Sequence, residues 1–501
     1  MRDKYCILPI SYYEKFNREY LKLLFNSYEF IFAFLPVAVI GFFAVSHIKH
    51  EYSTMWLVLA SLFFYGWWDY HYVPLLCVSI CFNYIVGRRL ENLADGYKIE
   101  KGDHVTVDMP HVFARKMWLL FGVVINLALL GYFKYMDFFL GTINSIAGSD
   151  IFDLPHIILP LGISFYTFTQ TAYLVDAYRG QAKNASFIAY CEFVTIFPHL
   201  IAGPIINHRD MIPQFIADKT FTVNWENMAR GLTLFTMGLF KKVVIADGIA
   251  PIVNDIFSRT DALTCIDAWA GALGYTMQLY FDFSGYSEMA IALGLMINLR
   301  LPVNFNSPYK SLCVIDFWRR WHMTLGLWVR DYLYIPMGGD RCSRLGKLRN
   351  LFLSMLIIGL WHGAGWTFVF WGGLHGIMLM INHLWREAHI KLPNIICWLL
   401  TFGGVMVCWV FFRAENFSDA YNVIATMANL GNIMESHNTW VRVRPLVIMM
   451  VLTCVTVFAP NPMHLMEKFK PNKKWLVACV VAIAISLYFF SRITDFLYFQ
   501  F

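Results

Sequence analysis

The sequence predicts an all-α protein that crosses a membrane many times. Of its 501 residues, 58% are hydrophobic and only 15% are charged, against roughly 25% charged in an average soluble domain. A soluble globule of this length would need more polar groups to cover its surface. Uncharged runs close to the roughly 20 residues that span a bilayer recur along the chain. Soluble enzymes, disordered regulators and secreted disulfide scaffolds are therefore excluded.

The charge balance and the cysteines agree with this class. The formal net charge is +6, spread over short connections, which is typical of the positive-inside bias of membrane proteins and not of a nucleic-acid surface. No nucleic-acid-binding motif accompanies it. The 11 cysteines lie mostly in apolar runs without zinc-ligand spacing, and we interpret them as small buried hydrophobic residues.

The predicted elements follow one another with short connections. Residues 1–23 are polar and are interpreted as an N-terminal extension, either a cytosolic or interfacial prefix or the result of a start codon assigned too far upstream. Residues 24–501 form one integral-membrane domain. We expect about eleven to thirteen embedded segments in that domain. The predicted segments are residues 30–46, 52–68, 70–87, 117–133, 154–175, 193–208, 231–240, 268–281, 289–299, 351–385 (two spans), 392–412, 445–466 and 475–490.

Two stretches are too rich in Pro and Gly to be simple spans. Residues 154–204 and 302–340 are predicted to be re-entrant or broken segments around a cavity, because irregular backbone at membrane depth persists only where protein or a wet cavity surrounds it. Basic residues between 87 and 116 and between 341 and 349 place both of those loops in the cytoplasm.

The densest polar cluster lies in residues 316–340, DFWRRWHMTLGLWVRDYLYIPMGGD. His322 has an ordinary pKa near neutrality and could remove a proton from a hydroxyl nucleophile. Arg319 and Arg320 could hold the phosphates of a cytosolic cofactor, with Trp321 beside them, since a guanidinium matches phosphate oxygens. Asp331 is a supporting carboxylate. A hydrogen-bonded buried histidine and interfacial arginines remain the alternatives.

His362 lies in the middle of the uncharged run 351–385, and Gly363 and Gly365 follow it, so we predict a helix break there. A hinge whose histidine bonds a free carbonyl is the alternative. His375 and His383, on the next helix, are interpreted as structural. Asp282 and Glu288 are expected to pair with the arginines of the 316–340 cluster or to orient a histidine.

Neither histidine stands in a metal-ligand spacing, so no metal is expected. These observations leave an enzyme and a proton-coupled transporter equally open, because a transporter also places His, Asp and Arg at mid-membrane.

The chain resembles the membrane-bound O-acyltransferase (MBOAT) family, and within it the bacterial alginate and peptidoglycan O-acetylation branch. The resemblance extends from about residue 23 to the end of the chain. It rests on LLFNSYEFIFAFLP, GYFKY, LPLGISFYTF, FPHLIAGPI, QLYFDFSGYSEMAIALG, DFWRRWHMTLGLWVRDYLYIPMGG, GLWHGAGWTF and WVFFRAENF.

The resemblance implies an MBOAT fold, a ring of helices around a central tunnel, and an O-acetyltransferase of the bacterial inner membrane. His322 and His362 match the two family histidines and are expected to be catalytic. Acetyl-CoA is the implied cytosolic donor. A periplasmic SGNH-hydrolase-like partner is implied to pass the acetyl group to a polysaccharide, while lipids surround the membrane domain.

The resemblance also gives a role to the aromatic tail, residues 495–501. Tyr498 matches a C-terminal tyrosine suggested to carry the acyl group covalently in related systems. A free phenol has a pKa near 10, so His322 is expected to act as its base. Another acyl donor or acceptor, such as a lipid or a D-alanyl carrier protein, a transporter without covalent chemistry, and a scaffold for the periplasmic enzyme remain alternatives.

Overall fold

The structure, a computed structural model, describes residues 23–94, 98–101, 104–107, 111–182, 185–432, 439–490 and 497. Within these ranges the regular structure is helical apart from one two-stranded ribbon, so the predicted all-α class is confirmed. Of the N-terminal extension, residues 1–22 lie outside the described residues. In the aromatic tail, Tyr498 lies outside them too.

The first helices pack as antiparallel neighbours. Asp69 interrupts the apolar run as predicted, because its carboxylate accepts a hydrogen bond from the His71 amide (2.9 Å) and caps a tight turn. The elements in order are a π-helical turn at Phe30–Phe34, α1 (Leu35–Ser46), α2 (His50–Asp69), a 3₁₀ turn at Tyr70–Tyr72 and α3 (Val73–Ala94).

The first basic loop contains the ribbon, which the sequence did not predict. Strands β1 (Lys98–Lys101) and β2 (His104–Val107) pair antiparallel, with Lys98 opposite Val107. The chain then continues into α4 (Val112–Leu130), a π-helical turn at Gly131–Tyr135, and α5 (Met136–Ala147).

The breaks predicted in residues 154–204 are confirmed. No helix occurs between residues 148 and 162, and Gly162 begins the next helix with a φ of 70° that favours glycine. A side chain there would also collide with the Leu200 carbonyl. The short helices of this region are α6 (Ile163–Tyr178), α7 (Phe187–Thr195), α8 (Phe197–Leu200) and α9 (His208–Phe215), followed by a 3₁₀ turn at Asp218–Phe221.

A helix of 32 residues, α12 (Cys265–Met296), runs through the centre of the molecule and is buried along almost its whole length. The sequence treated the runs on either side of Asp282 as separate, which is wrong, because Asp282 finds a buried cationic partner and the helix continues through it. Before it come α10 (Trp225–Leu239), a π-helical turn at Phe240–Ala246, α11 (Asp247–Phe257) and a 3₁₀ turn at Thr260–Ala262.

The region 302–340 is broken as predicted, and the run 351–385 divides into two helices. The elements are a 3₁₀ turn at Pro308–Lys310, α13 (Val314–Trp318), α14 (Met323–Val329), a π-helical turn at Arg330–Tyr334, α15 (Arg344–His362) and α16 (Trp366–Glu387). The last elements are α17 (Asn394–Arg413), α18 (Phe417–Ala428), a 3₁₀ turn at Leu430–Asn432, α19 (Thr439–Phe458), α20 (Pro462–Glu467) and α21 (Lys473–Phe489).

Helix contacts define two ends of the molecule. Arg115 donates to the Tyr178 carbonyl, and Arg179 donates to the Asp331 carbonyl (3.1 Å). Arg115 is at the end of the first basic loop (87–116) and Asp331 lies shortly before the second (341–349), so these contacts bring both loops to the same end, which we name the basic end. The opposite end includes Tyr72, whose hydroxyl donates to the Ile158 carbonyl (2.9 Å).

Three helical stretches among the described residues are long and apolar enough to cross a membrane: His50–Leu93, Val112–Ala147 and Asn394–Arg413. The shorter helices Phe30–Ser46 and Val443–Phe458 are also apolar. Many of the other helices are broken or bury polar side chains, which suits segments packed against protein or a cavity.

Candidate active site

His322 occupies the junction before α14 and is fully buried. Its backbone is left-handed (φ 42°, ψ 55°), a conformation that costs a residue with a side chain roughly 1–2 kcal/mol. Asn304 holds this junction: its carbonyl accepts from the Met323 amide (2.9 Å), and its Oδ1 accepts from the Thr324 hydroxyl (2.6 Å). These bonds fix where the imidazole points.

Asn304 also ties the junction to the central helix. Its Nδ2 donates to the Ser287 hydroxyl on α12 (3.1 Å), while Thr324 accepts from the Ile205 amide (3.0 Å). Asn304, Ser287 and Thr324 are all buried. Sequence reasoning missed Asn304 and Thr324. The only available signal was that both lie in or next to the broken, Pro-containing stretch.

His362 is the last residue of α15, so the helix break predicted at Gly363 is confirmed. The carbonyls at a helix C-terminus lack partners within the helix, and here the π-helical turn Gly131–Tyr135 supplies them. Lys134 donates to the carbonyls of Trp361 (2.5 Å) and His362 (3.2 Å), and the Tyr135 hydroxyl donates to Leu360 (3.0 Å). The Lys134 ammonium is also favourable here because a helix C-terminus is the negative end of the helix dipole.

The rings of both histidines contact one indole, that of Trp361. The ring centroid of Trp361 is 6.2 Å from that of His322 and 4.9 Å from that of His362. Phe283 of α12 contacts His322 edge-on at 4.8 Å, and Phe412 lies 5.3 Å from His362. Two motifs 40 positions apart in the sequence therefore converge in one buried aromatic site.

Three stacked aromatic rings extend from this site toward the basic end, from α15 through α6 to α14. Trp361 stacks on Phe168 (5.2 Å), and Phe168 stacks on Trp328 (3.8 Å, 3° between the planes). The Trp328 indole also donates to the Phe168 carbonyl (3.1 Å). We name Trp361, Phe168 and Trp328 the aromatic column.

At the basic end, a group of charged side chains adjoins the aromatic column. Asp176 is fully buried and accepts hydrogen bonds from Arg209 (3.0 Å) and from the Tyr332 hydroxyl (2.7 Å). Arg179 lies 3.7 Å from the same carboxylate and is about one-third exposed. The partly exposed Arg179 and Arg209 present positive charge to solvent, while the Asp176 carboxylate contacts their guanidinium nitrogens.

The predicted phosphate-binding residues are distributed differently. Arg319 is exposed, whereas Arg320 is engaged by the Asp316 carboxylate (2.9 and 3.0 Å). Trp321 is buried and packs on Phe317 (5.6 Å) and Trp409 (4.9 Å). Of the two predicted arginines, Arg319 therefore has the guanidinium more open to a solvent-borne phosphate.

The supporting carboxylates have partners that the sequence did not indicate. Asp331 is paired with Arg330 (2.7 Å). Glu288 contacts Lys241 (2.5 Å), and Asp282 contacts Lys242 (2.7 Å). The expected pairing of Asp282 and Glu288 with arginines is wrong, because the π-helical turn Phe240–Ala246 brings two lysines against α12.

The remaining predicted histidines occupy α16. His375 is buried and its Nδ1 accepts from the Trp318 indole (3.2 Å), which supports the structural interpretation. His383 is half-buried near the basic end. At the second basic loop, the hydrogen bond that Lys347 donates to the Asp340 carboxyl lowers the pKa of that carboxyl below its usual range.

Next to Gly363, toward the end of the molecule that includes Tyr72 and Ile158, a cavity of about 250 Å³ is bounded by Lys134, Asp137, Ile157, Gly363 and Phe368. Asp137 accepts from the backbone amides of His156 (3.2 Å) and Ile157 (3.1 Å), which holds the loop at its rim. Among the described residues, no group of three or more His, Cys, Asp or Glu is arranged to hold a metal ion.

Comparisons with known proteins give the following relatives. A model of the membrane-bound O-acyltransferase family matches residues 161–418. The peptidoglycan O-acetyltransferase of Helicobacter pylori is 45% identical, over 83% of this chain and 81% of that protein. The probable alginate O-acetylase AlgI of Azotobacter vinelandii is 44% identical over 82% and 79%. The teichoic acid D-alanyltransferase of Bacillus subtilis is 28% identical over 52% and 71%.

Proposed function

This chain belongs to the membrane-bound O-acyltransferase family, and from that premise we propose that it moves acetyl groups from cytosolic acetyl-CoA across the bacterial inner membrane for O-acetylation of a polysaccharide. That the protein is a membrane acyltransferase follows from the family. The donor, the acceptor and the catalytic residues are our proposal. The observation that carries it is the convergence of His322 and His362 on the Trp361 indole, inside a buried site.

In this proposal the acetyl group must cross the membrane although neither its donor nor its acceptor does. Coenzyme A is too large and too charged to cross a membrane, and an extracytoplasmic polysaccharide does not reach the cytosol. A protein that lets only the acetyl group cross needs a donor site at one end, a dry path and a hydroxyl that accepts the group. We assign the donor site to the basic end, the dry path to the aromatic column and the accepting hydroxyl to Tyr498.

At the donor end, Arg319 offers an exposed guanidinium for the phosphates of acetyl-CoA, with Arg320 and Trp321 beside it. Arg179 and Arg209 add positive charge at the same end of the molecule. Such charges raise the local concentration of an anionic donor. The thioester then extends along the aromatic column toward His322.

The proposed chemistry uses His322 as the base. Its imidazole takes the phenol proton of Tyr498, and the phenolate oxygen attacks the thioester carbonyl. The C–S bond breaks, the thiolate of coenzyme A leaves, and the imidazolium returns the proton to it. The products are free coenzyme A and O-acetyl-tyrosine, which a hydroxyl of the periplasmic SGNH-hydrolase-like partner then deacetylates. His362, which contacts the same indole, acts on the acceptor side of the site.

Purified protein incubated with radiolabelled acetyl-CoA tests this proposal. Wild type is expected to release coenzyme A and to retain label on the polypeptide. We expect His322→Ala and Tyr498→Phe to lose both, by about 100-fold or more, as base or nucleophile removal does elsewhere. His383→Ala, a half-buried histidine on α16, serves as the control and is expected to behave as wild type.

Each alternative has a distinct outcome. Release of coenzyme A without retained label would remove the covalent relay and keep the enzyme. No release from any variant, with a periplasmic partner present, would favour a transporter or another donor. A His322→Ala variant that supports full polysaccharide acetylation in cells would favour a scaffold.

The D-alanyl alternative has weaker support. The relatives named as teichoic acid D-alanyltransferases are 27–28% identical over about half of this chain. Those named for peptidoglycan or alginate acetylation are 40–45% identical over more than four-fifths of it. Replacing acetyl-CoA by a D-alanyl carrier protein in the same assay separates the two donors.

A further inference from the structure

A buried ion network stands where the central helix meets the C-terminal tail. Lys242, in the π-helical turn Phe240–Ala246, lies 2.7 Å from Asp282 on α12 and 2.7 Å from Asp247 on α11. All three side chains are at most 2% exposed. The catalytic proposal assigns no role to these three residues. Because burying charged side chains costs free energy, we expect the network to have a role.

Lys242 contacts the Oδ1 oxygen of Asp282, so the Oδ2 oxygen is open to another donor. One ammonium faces two carboxylates, and a buried carboxylate is costly unless its remaining lone pairs accept hydrogen bonds. The tail supplies such a bond: the Leu497 amide donates to Asp282 Oδ2 (3.0 Å) in a buried contact. Leu497 itself is 5% exposed, so backbone and side chain are both held.

The Leu497–Asp282 contact is close to the candidate active site both along α12 and along the C-terminal tail. Asp282 precedes Phe283, whose ring contacts His322 at 4.8 Å. Leu497 precedes Tyr498, the proposed acyl carrier. The same turn of α12 therefore holds the tail through one residue and contacts the proposed base through the next.

We infer that Asp282, oriented by Lys242 and Asp247, is a positioning residue that fixes the C-terminal tail beside the catalytic histidine. The inference rests on the proposed function for its catalytic consequence. The anchor itself stands on the Leu497–Asp282 contact alone. In this inference Asp282 acts through the position of the tail and not on a reacting atom.

The chain offers a matched control. Glu288 lies on the same helix and forms a comparable buried pair with Lys241 (2.5 Å). The structure gives Glu288 no bond to the tail among the described residues. Glu288→Gln therefore measures what losing a buried carboxylate on α12 costs in general, and Asp282→Ala adds the loss of the tail anchor.

Amide hydrogen exchange read by fragmentation mass spectrometry tests the anchor without any catalytic assay. The Leu497 amide is expected to exchange at least about tenfold faster in Asp282→Ala than in wild type, because its acceptor is gone. Asp282→Asn keeps a carbonyl oxygen and should give an intermediate rate. Glu288→Gln should leave the Leu497 rate within about twofold of wild type.

Label transfer from acetyl-CoA tests the consequence. We expect Asp282→Ala to lower kcat about tenfold with the KM for acetyl-CoA unchanged, since donor binding does not involve the tail. Asp282→Asn should recover part of kcat. Size-exclusion profiles and detergent-phase melting establish that each variant is folded.

Three results would overturn the inference: an unchanged Leu497 exchange rate in Asp282→Ala, equal effects of Asp282→Ala and Glu288→Gln, or faster exchange with kcat unaltered. If wild type transfers no label from acetyl-CoA, the proposed function fails. The exchange measurement then still decides whether Asp282 anchors the tail.

Discussion

At the scale of single residues, the candidate site depends on side chains that have no proposed part in the reaction and only position those that do. His322 has a left-handed backbone, which a residue other than glycine adopts only when its surroundings determine it. Asn304 supplies those surroundings through its bonds to Met323, Thr324 and Ser287. The direction of the imidazole is therefore set by an asparagine 18 positions earlier in the sequence.

Replacing this asparagine should separate placement of the base from its chemistry. In Asn304→Ala the Thr324 hydroxyl and the Ser287 hydroxyl lose a buried partner, at a cost of about 1–3 kcal/mol. We expect kcat for acetyl transfer to fall about tenfold to 100-fold while the KM for the donor changes little. Steady-state assays on purified protein measure both.

Asn306→Ala is the control for that variant. Asn306 lies in the same broken segment, but its side chain accepts from Asn461 (3.2 Å) and, in the described part of the chain, makes no bond to the His322 junction. It should retain kcat within about threefold of wild type. Equal losses in both variants would mean that Asn304 matters to the segment in general and not to His322.

At the scale of elements, His362 is placed by a close-packed helical hairpin. Helices α15 and α16 approach at Gly359 and Gly372, where an added Cβ on either residue would collide with backbone of the other helix. Lys134 and Tyr135 then hold the end of α15 from a third element. A break in a membrane helix is stable here because its free carbonyls are occupied.

A single methyl group should disturb this hairpin. In Gly359→Ala the new Cβ meets the Phe368 carbonyl, and overpacking of this kind costs about 1–3 kcal/mol. We expect a lower melting temperature in detergent and at least a tenfold loss of acetyl transfer, because α15 ends at His362. Thermal unfolding monitored by size exclusion and the label assay provide the two measurements.

Gly373→Ala is the matched substitution one position from the close contact. Its Cβ would lie 3.5 Å from Leu356 Cδ2, an ordinary packing distance. Melting temperature and activity should stay near wild type. A Gly373→Ala variant as damaged as Gly359→Ala would attribute the effect to helix composition and not to the approach of α15 and α16.

At the scale of the whole molecule, the charges and the proposed reaction share one direction. Both basic loops adjoin the basic end, which the positive-inside rule assigns to the cytoplasm. The aromatic column leads from this end to the histidines, and the cavity at Lys134 and Asp137 opens beyond them. The orientation of the protein therefore predicts which side receives the donor.

Site-directed labelling checks this orientation. Cys342 is exposed in the second basic loop, so a membrane-impermeant maleimide should label it in inverted membrane vesicles and not in intact spheroplasts. A Ser149→Cys variant, at the exposed connection after α5, should react in spheroplasts. Cys342→Ser provides the background, and the reverse pattern would invert the proposed direction of transfer.

The sequence determined the class of the protein and much of its outline. Low charge with recurring apolar runs requires a helical membrane protein, and the Pro and Gly content of 154–204 and 302–340 marked where helices break. The helix end at His362 followed from Gly363 and Gly365. The motifs also identified the family, which the relatives confirm.

Only the tertiary structure decided which of these features meet. Local composition cannot tell that His322 and His362 share one indole, that Lys242 accompanies Asp282, or that Asn304 sets the backbone of His322. Each pairing joins residues of different helices, and buried polar groups take whichever partner the packing brings within hydrogen-bonding distance. That choice depends on the arrangement of α12, α15 and the broken segments, and no local sequence pattern records it.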